Sequence, residues 1–334
     1  MKLDLIVPHY KEPWRTCRYL FDSIAMQRGI NFDDIRVLLV NDGDQILCGD
    51  IQNAMFKLST YPFTVDYIIK EHGGVSSTRN CGLRESDADY VMFCDCDDGF
   101  LNNYSIYTIF AALQEEPDFV ISNFIEEVLN RETGTMEIVR HESDLTFMHG
   151  KVYKRKFLMD NELFFDERMT LHEDGYYNIL TDCVAKRVGK ISRISTPIYI
   201  WMWNEASTVR TNSKGFVLRT YEQLMQTRIG LCEEFKRRGY EEEYRMTVLM
   251  TVMNSYYDFQ KPAFTEAKNA KHIKTAEKAF RKFWMRYGNT FCDMTNQQVA
   301  EVAKIARATA CTKGMLFEQQ DLKSFLKHIE YEVR

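Results

Sequence analysis

The stretch Val91-Met92-Phe93-Cys94-Asp95-Cys96-Asp97-Asp98 constrains this chain more than any other. An apolar run that stops in three carboxylates reads as a buried strand whose end opens on a polar site. Side chains alternate along a strand, so Asp95 and Asp97 are expected on one face and Cys94 and Cys96 on the other. Carboxylates gathered at one strand end repel one another unless a cation sits between them. Oxygen ligands of this kind suit Mg²⁺ or Mn²⁺ rather than zinc. A solvated acidic turn after a core strand has the same local sequence, so the surroundings must decide between the two.

Those surroundings alternate. Leu3-Asp4-Leu5-Ile6-Val7 is strand-like and closes at Pro8. Residues 13–28 have helical spacing, with Trp14, Cys17, Leu20, Phe21 and Ile24 on one side and Pro13 at the start. Strands are expected at 35–40 and 64–69, and helices at 45–58 and 75–86. Strands that alternate with helices imply βαβ units and a mostly parallel sheet. Ligands of such sheets bind at the C-terminal strand ends. Pro8-His9-Tyr10, Asn41-Asp42-Gly43 and Asp95-Cys96-Asp97 all stand at strand ends, so they are expected to meet in one crevice.

Beyond residue 213 the pattern turns helical, with runs at 216–238, 242–260 and about 319–333, and a capping box at Thr295 and Gln298. The charge changes there too. The chain carries −5 overall, yet residues 214–334 hold 21 Lys and Arg against 15 Asp and Glu. The two expected domains are therefore 1–212 and 213–334. No apolar stretch approaches the ~20 residues of a membrane span. Met1-Lys2-Leu3-Asp4 leads straight into an apolar run with no cleavage-site pattern, so no signal peptide is expected. Nine cysteines without C-x-x-C spacing indicate neither a zinc site nor a disulfide framework, and fit the reduced thiols of a cytoplasmic protein.

The strand-end clusters form an ordered series of blocks. Val7-Pro8-His9-Tyr10-Lys11-Glu12 resembles a V-P-x-Y-N-E block, with Lys11 in place of Asn. Val40-Asn41-Asp42-Gly43 resembles V-D-D-G-S, departing at Asn41 and Asp44. Gly73 to Gly82 resembles G-x-x-x-A-R-N-x-G, and Asp89 to Asp98 resembles Y-x-x-F-x-D-x-D-D. Gly150-Lys151-Val152-Tyr153-Lys154-Arg155 and Phe165-Asp166-Glu167 then precede Glu173-Asp174, and Pro197-Ile198-Tyr199-Ile200-Trp201 with Ser207 resembles a closing segment. Over residues 1–210 the chain resembles glycosyltransferase family 2, inverting enzymes of GT-A fold that use nucleotide-diphosphate sugars. The resemblance implies an α/β GT-A domain, and the helical pattern beyond residue 213 adds a mainly α-helical C-terminal region.

The same resemblance implies roles. Pro8, Tyr10, Glu12, Asp42, Arg79 and Asp95 would form the nucleotide-sugar site: Tyr10 as a face for the base, Asp42 as acceptor for a base N–H, Arg79 reaching ribose or phosphates. Asp97, Asp95 and Asp98 would hold Mn²⁺ or Mg²⁺ against the leaving diphosphate, with Asp97 as direct ligand and Asp95 serving either ribose or metal. Inverting transfer needs a base for the acceptor hydroxyl and no covalent intermediate. The family's E-D motif makes Asp174 that base and Glu173 the second choice. An acidic pair at a helix start is also favoured by the helix dipole alone. His72 and His172 read as local hydrogen-bonding residues.

The acceptor is less legible. Residues 261–286 hold Lys261, Lys268, Lys271, Lys274, Lys278, Arg281, Lys282 and Arg286 with aromatics interleaved. A solvated helix face explains them, as does an anionic partner: a phosphate-bearing glycan, a lipid-phosphate surface, or nucleic acid. Three functions follow: a transferase acting on cell-surface glycan, a phage-type transferase acting on hydroxymethylated DNA bases, and an inactive nucleotide- or glycan-binding module.

Overall fold

The computed structural model describes residues 1–43, 58–205, 215–312 and 321–333. The helix expected over 45–58 lies, but for Leu58, outside them, as do Asp44 and Ser207. The chain divides into two compact units, Met1–Glu205 and Ala206–Arg334.

The first unit is built on a nine-stranded sheet. Its elements in chain order are β1 (Leu3–His9), α1 (Trp14–Ala25), β2 (Ile35–Asp42), β3 (Thr64–Lys70), α2 (Gly74–Glu85), β4 (Tyr90–Phe93), β5 (Gly99–Phe100), α3 (Ser105–Leu113), β6 (Phe119–Leu129), β7 (Met136–His141), β8 (Lys151–Lys154), α4 (Arg155–Asp160), α5 (Glu173–Val188) and β9 (Ile191–Trp201). The main path runs β3-β2-β1-β4-β8-β6-β9-β5, and β7 folds back on β6. The first four strands are parallel, as the alternating pattern predicts. From β8 onward the sheet is mixed, with β8 antiparallel to both β4 and β6. The sequence pattern carries no period for this half, because its strands are joined through loops and hairpins as well as helices.

Burial on both faces explains the near-continuous apolar runs of β1 and β2. Leu5, Val7, Val37, Leu39 and Met92 join the core beneath α1, whose buried stripe is the expected Cys17, Leu20, Phe21 and Ile24. In the parallel register Ile6 pairs with both Leu38 and Phe93, and His9 with Asn41. Strands in this register end together, which brings the polar clusters after β1, β2 and β4 to one rim of the sheet.

On the other face α2 lies close against β1 and β2. A Cβ placed on Gly82 would stand 2.4 Å from Ile6 Cγ2 and 3.3 Å from Val40 Cγ2, so this helix position admits only glycine at the observed spacing.

The second unit is helical: α6 (Phe216–Arg219), α7 (Tyr221–Arg237), α8 (Glu241–Asp258), α9 (Pro262–Thr265), α10 (Ala270–Cys292), α11 (Asn296–Thr312) and α12 (Leu322–Lys327). The capping box forms as expected: Thr295 N donates to Gln298 Oε1 at 2.9 Å, and Gln298 N to Thr295 Oγ1 at 3.2 Å. The basic run 261–286 is not one helix. It breaks at Glu266, which is extended (φ −73°, ψ 127°), and the long helix starts at Ala270.

Replacing Gly82 by Ala is expected to destabilise the first unit by about 1–3 kcal/mol, because Ile6 is fully buried and cannot yield. Urea unfolding followed by circular dichroism reads the change.

Candidate active site

The site is organised by one side chain. Arg79, on α2, is buried at 3% exposure and donates to three carboxylates. Its Nη2 meets Asp95 Oδ1 at 3.0 Å; its Nη1 meets Asp174 Oδ1 at 2.6 Å and Glu173 Oε1 at 3.2 Å. Phe165 packs against the guanidinium, 5.3 Å from its ring centre. The sequence-based expectation put Arg79 on the ribose or phosphates. In the structure its donors join the acidic turn after β4 to the start of α5, two segments far apart in sequence.

Glu173 and Asp174 open α5. The preceding residue, His172, is left-handed (φ 64°, ψ 12°), a conformation that turns the chain sharply into the helix and is uncommon outside glycine. Asp174 Oδ2 accepts from Met148 N at 3.2 Å. One cation faces three carboxylates here, so the cluster is over-negative and one carboxyl keeps its proton more readily. Burial pushes Asp174 up to about 7, and Glu173 and Asp95 push the same way against the pull of Arg79. For Asp95, burial opposes ionisation, but the Arg79 guanidinium outweighs it and holds the carboxyl below the usual range. A carboxyl whose pKa lies near the working pH is suited to general-base chemistry, acting in its ionised form.

The acidic turn departs from simple strand alternation. β4 ends at Phe93, and Asp98 N turns back to Asp95 O at 3.3 Å. The turn brings ligand atoms of Asp95, Asp98 and His149 within 4.8 Å of one another. Asp97, expected as the direct ligand, is not in that group; its Oδ2 accepts from Asn204 Nδ2 at 2.9 Å. Asp98 is buried, accepting from Met202 N at 3.0 Å and lying 3.4 Å from His149 Nδ1. Burial pushes His149 down to about 3, so its imidazole is neutral and carries a lone pair across the physiological range. Two carboxylates and an imidazole suit Mn²⁺ better than Mg²⁺, which prefers oxygen ligands alone.

The nucleotide side is partly as expected. Pro8 ends β1, and Tyr10 beyond it is 40% exposed, stacked on His72 with centroids 4.7 Å apart and rings 22° from parallel. Lys11 lies 4.7 Å over the same ring, in a left-handed conformation (φ 65°). Glu12 accepts from Tyr10 N at 2.5 Å and so shapes the loop itself. Asp42, expected as acceptor for a base N–H, is bonded within the chain. It accepts from Lys70 Nζ at 2.7 Å, Gly73 N at 2.9 Å and Gly74 N at 2.8 Å, with His72 Nδ1 at 2.9 Å. That uses most of a carboxylate's acceptor capacity, leaving little for a base N–H. Burial disfavours its charge, but Lys70 and the two backbone N–H groups hold it below the usual range. Asp42 thus caps α2 from a neighbouring strand, in the position where the helix dipole favours an anion.

Sequence reasoning passed over His149, Asn204 and Lys151. Lys151, on β8, is fully buried, and its ammonium donates to His149 O at 2.9 Å over the ring of Phe124. Burial pulls it down to about 8. A lone His before a glycine carries no spacing signal. A buried lysine reads in sequence as a surface charge.

Comparison with known proteins agrees with this architecture. Residues 4–169 match the profile of glycosyl transferase family 2. That part of the chain belongs to the family, and the protein is a glycosyltransferase of GT-A fold. It is 25% identical over 261 residues to the uncharacterized glycosyltransferase EpsJ of Bacillus subtilis, covering 71% of each chain. It is 24% identical over 203 residues to the poly(ribitol-phosphate) beta-N-acetylglucosaminyltransferase TarS of Staphylococcus aureus, covering 58% of this chain and 34% of TarS. The crystal structure of TarS residues 1–349 with UDP-GlcNAc superposes with a TM-score of 0.58 at 16% identity, covering 94% of this chain and 93% of that one. The mannosyltransferase PcManGT of Pyrobaculum calidifontis, with GDP-Man and Mn²⁺, gives 0.50 at 13%, covering 96% and 88%.

Two outcomes are expected from the cluster. Folding raises Asp174 from 3.8 to about 7, so the folded state keeps a proton the unfolded chain has lost. The contribution of Asp174 to stability therefore declines as pH rises from about 4 to 7. Asp174→Asn removes that cost, and its melting temperature at pH 8 should exceed that of the parent by on the order of 2–6 °C. Arg79→Lys cannot span three carboxylates with a single point donor. It should lose about 3 kcal/mol of stability, measured by denaturant unfolding, as expected when a buried ion pair is broken.

Proposed function

We propose that this protein transfers a sugar, with inversion, from a UDP-sugar to a hydroxyl of a phosphate-bearing cell-surface glycan. The observation that carries the reading is the shared guanidinium. Arg79 joins Asp95, on the acidic turn, to Asp174, a carboxyl poised near neutrality. The reading joins the donor's diphosphate and the acceptor's proton in one cluster. A solved relative of similar fold was captured with UDP-GlcNAc, and the curated TarS protein acts on poly(ribitol-phosphate). Those names support the donor and the acceptor class.

Each residue then has a chemical task. Tyr10 offers an exposed ring on which a nucleobase stacks, and Lys11 and Lys70 bring positive charge to the same rim. Asp42 fixes the Gly73-Gly74 entry to α2, so that Arg79 is delivered to the carboxylates. Asp95, Asp98 and His149 would hold the divalent cation, with Asn204 orienting Asp97 beside them. A Mn²⁺ or Mg²⁺ ion bound there supplies Lewis-acid neutralisation of the departing diphosphate. Asp174 takes the proton of the acceptor hydroxyl as that oxygen attacks the anomeric carbon, and Glu173 keeps Arg79 charged and in place. Among the described residues no helix is long and apolar enough to cross a membrane.

The donor is tested by thermal shift across UDP-, GDP- and dTDP-sugars with and without Mn²⁺, followed by donor hydrolysis. A UDP-sugar with Mn²⁺ should give the largest stabilisation. Asp174→Asn should keep that shift and lose at least about 10²-fold in transfer, whereas His149→Ala should lose the Mn²⁺-dependent part of the shift. Hydrolysis of no nucleotide sugar, with no stabilisation by any of them, would overturn the enzyme reading. The rate of transfer should rise with pH through about 7 as Asp174 ionises.

A further inference from the structure

The second unit carries a charge feature that the transfer chemistry does not use. Along α10, Lys271, Lys274, Lys278 and Lys282 recur at intervals of three and four residues and are all exposed. That spacing sets them on one face of the helix, over about 16 Å of its length. Among the described residues, Lys271, Lys274 and Lys278 have no carboxylate within 4 Å, and Lys282 only approaches exposed Glu222 at 3.6 Å. The single acidic residue of α10, Glu277, is turned aside to His328 at 3.2 Å. Four like charges held in line, three of them with no carboxylate within 4 Å among the described residues, repel one another, and an anionic partner relieves that repulsion.

We propose that this face of α10 docks a phosphodiester-linked polyol chain, the anionic acceptor polymer, through successive phosphates. The proposal rests on the acceptor class put forward above and adds the surface that grips it. The chemistry of the face narrows the occupant. Its aromatic residues Phe280, Phe283, Trp284 and Tyr287 are all buried, so there is no exposed ring on which a nucleic-acid base stacks. Burial of that apolar face also removes the hydrophobic side that an interfacial membrane helix inserts, leaving only Met285 exposed. What remains is a row of mobile ammonium groups, matched to a flexible chain of phosphates that has neither bases nor acyl tails. Docking the polymer outside the reacting centre raises the local concentration of its hydroxyls and lets one chain serve repeated transfers.

The test uses the full chain and a fluorescently labelled poly(glycerol phosphate) oligomer, with single-stranded DNA of equal charge and phosphatidylglycerol vesicles as the other arms. The oligomer should bind at 50 mM salt, more tightly than DNA or vesicles. Its log affinity should fall with log salt at a slope of about −3, the value for four phosphate contacts on a single strand. The combined variant Lys271→Gln, Lys274→Gln, Lys278→Gln and Lys282→Gln should weaken binding at least tenfold and flatten the slope. Its melting temperature and its hydrolysis of donor should match the parent, since all four side chains are exposed. Absence of oligomer binding, equal binding by the variant, or tighter binding of DNA or vesicles would overturn the docking proposal. Donor hydrolysis reports independently on the transferase reading, so either can fail without the other.

Discussion

The first unit's chemistry depends on the placement of one buried guanidinium. Arg79 is almost without solvent contact, and a charge in that position is sustained only by its counter-charges. Asp95, Glu173 and Asp174 supply three of them, which exceeds what one cation balances. Burial first, and then Glu173 and Asp95, raise Asp174 to about 7, while Arg79 holds Asp95 below the usual carboxylate range.

The scaffold delivers that guanidinium through a second polar device. Asp42, at the end of β2, accepts the N–H groups of Gly73 and Gly74 and so sets where α2 begins. Gly43 follows in a left-handed conformation (φ 86°), where a Cβ would stand 2.5 Å from His72 N. The chain must pass that close for the Asp42 carboxylate to reach the helix start. On the opposite side, residues 147–149 bind the parts together. Phe147 O accepts from Asn178 on α5, Met148 N donates to Asp174, and His149 lies against Asp98. A short loop of this kind can therefore set the distance between Asp174 and the acidic turn.

Sequence reading succeeded where the physics was local. The apolar runs of β1, β2 and β4 announced buried strands, and the stripe of Cys17, Leu20, Phe21 and Ile24 announced the buried face of α1. Parallel register then placed three polar clusters on one rim. The bonding of each carboxylate was less legible, because it depends on neighbours distant in sequence. Asp42 and Asp97 are found near the expected rim but bonded to Gly73, Gly74, Lys70 and Asn204. Alternation along β4 did not carry past Phe93, because the backbone turns at Asp95–Asp98 and exchanges Asp97 for Asp98 beside His149. Glu266 likewise interrupts a basic segment that composition alone reads as one helix.

The sequence by itself determined the family, the parallel half of the sheet and the list of acidic residues that could do chemistry, because strand periodicity and ordered motifs are properties of neighbours in the chain. Only the tertiary structure decided which of those carboxylates share a cation. Arg79 and Asp174 are 95 residues apart, and no local pattern states that they meet. Their ionisation is set by burial and by one another, and both arise only when α2, the acidic turn and the start of α5 close on the same volume.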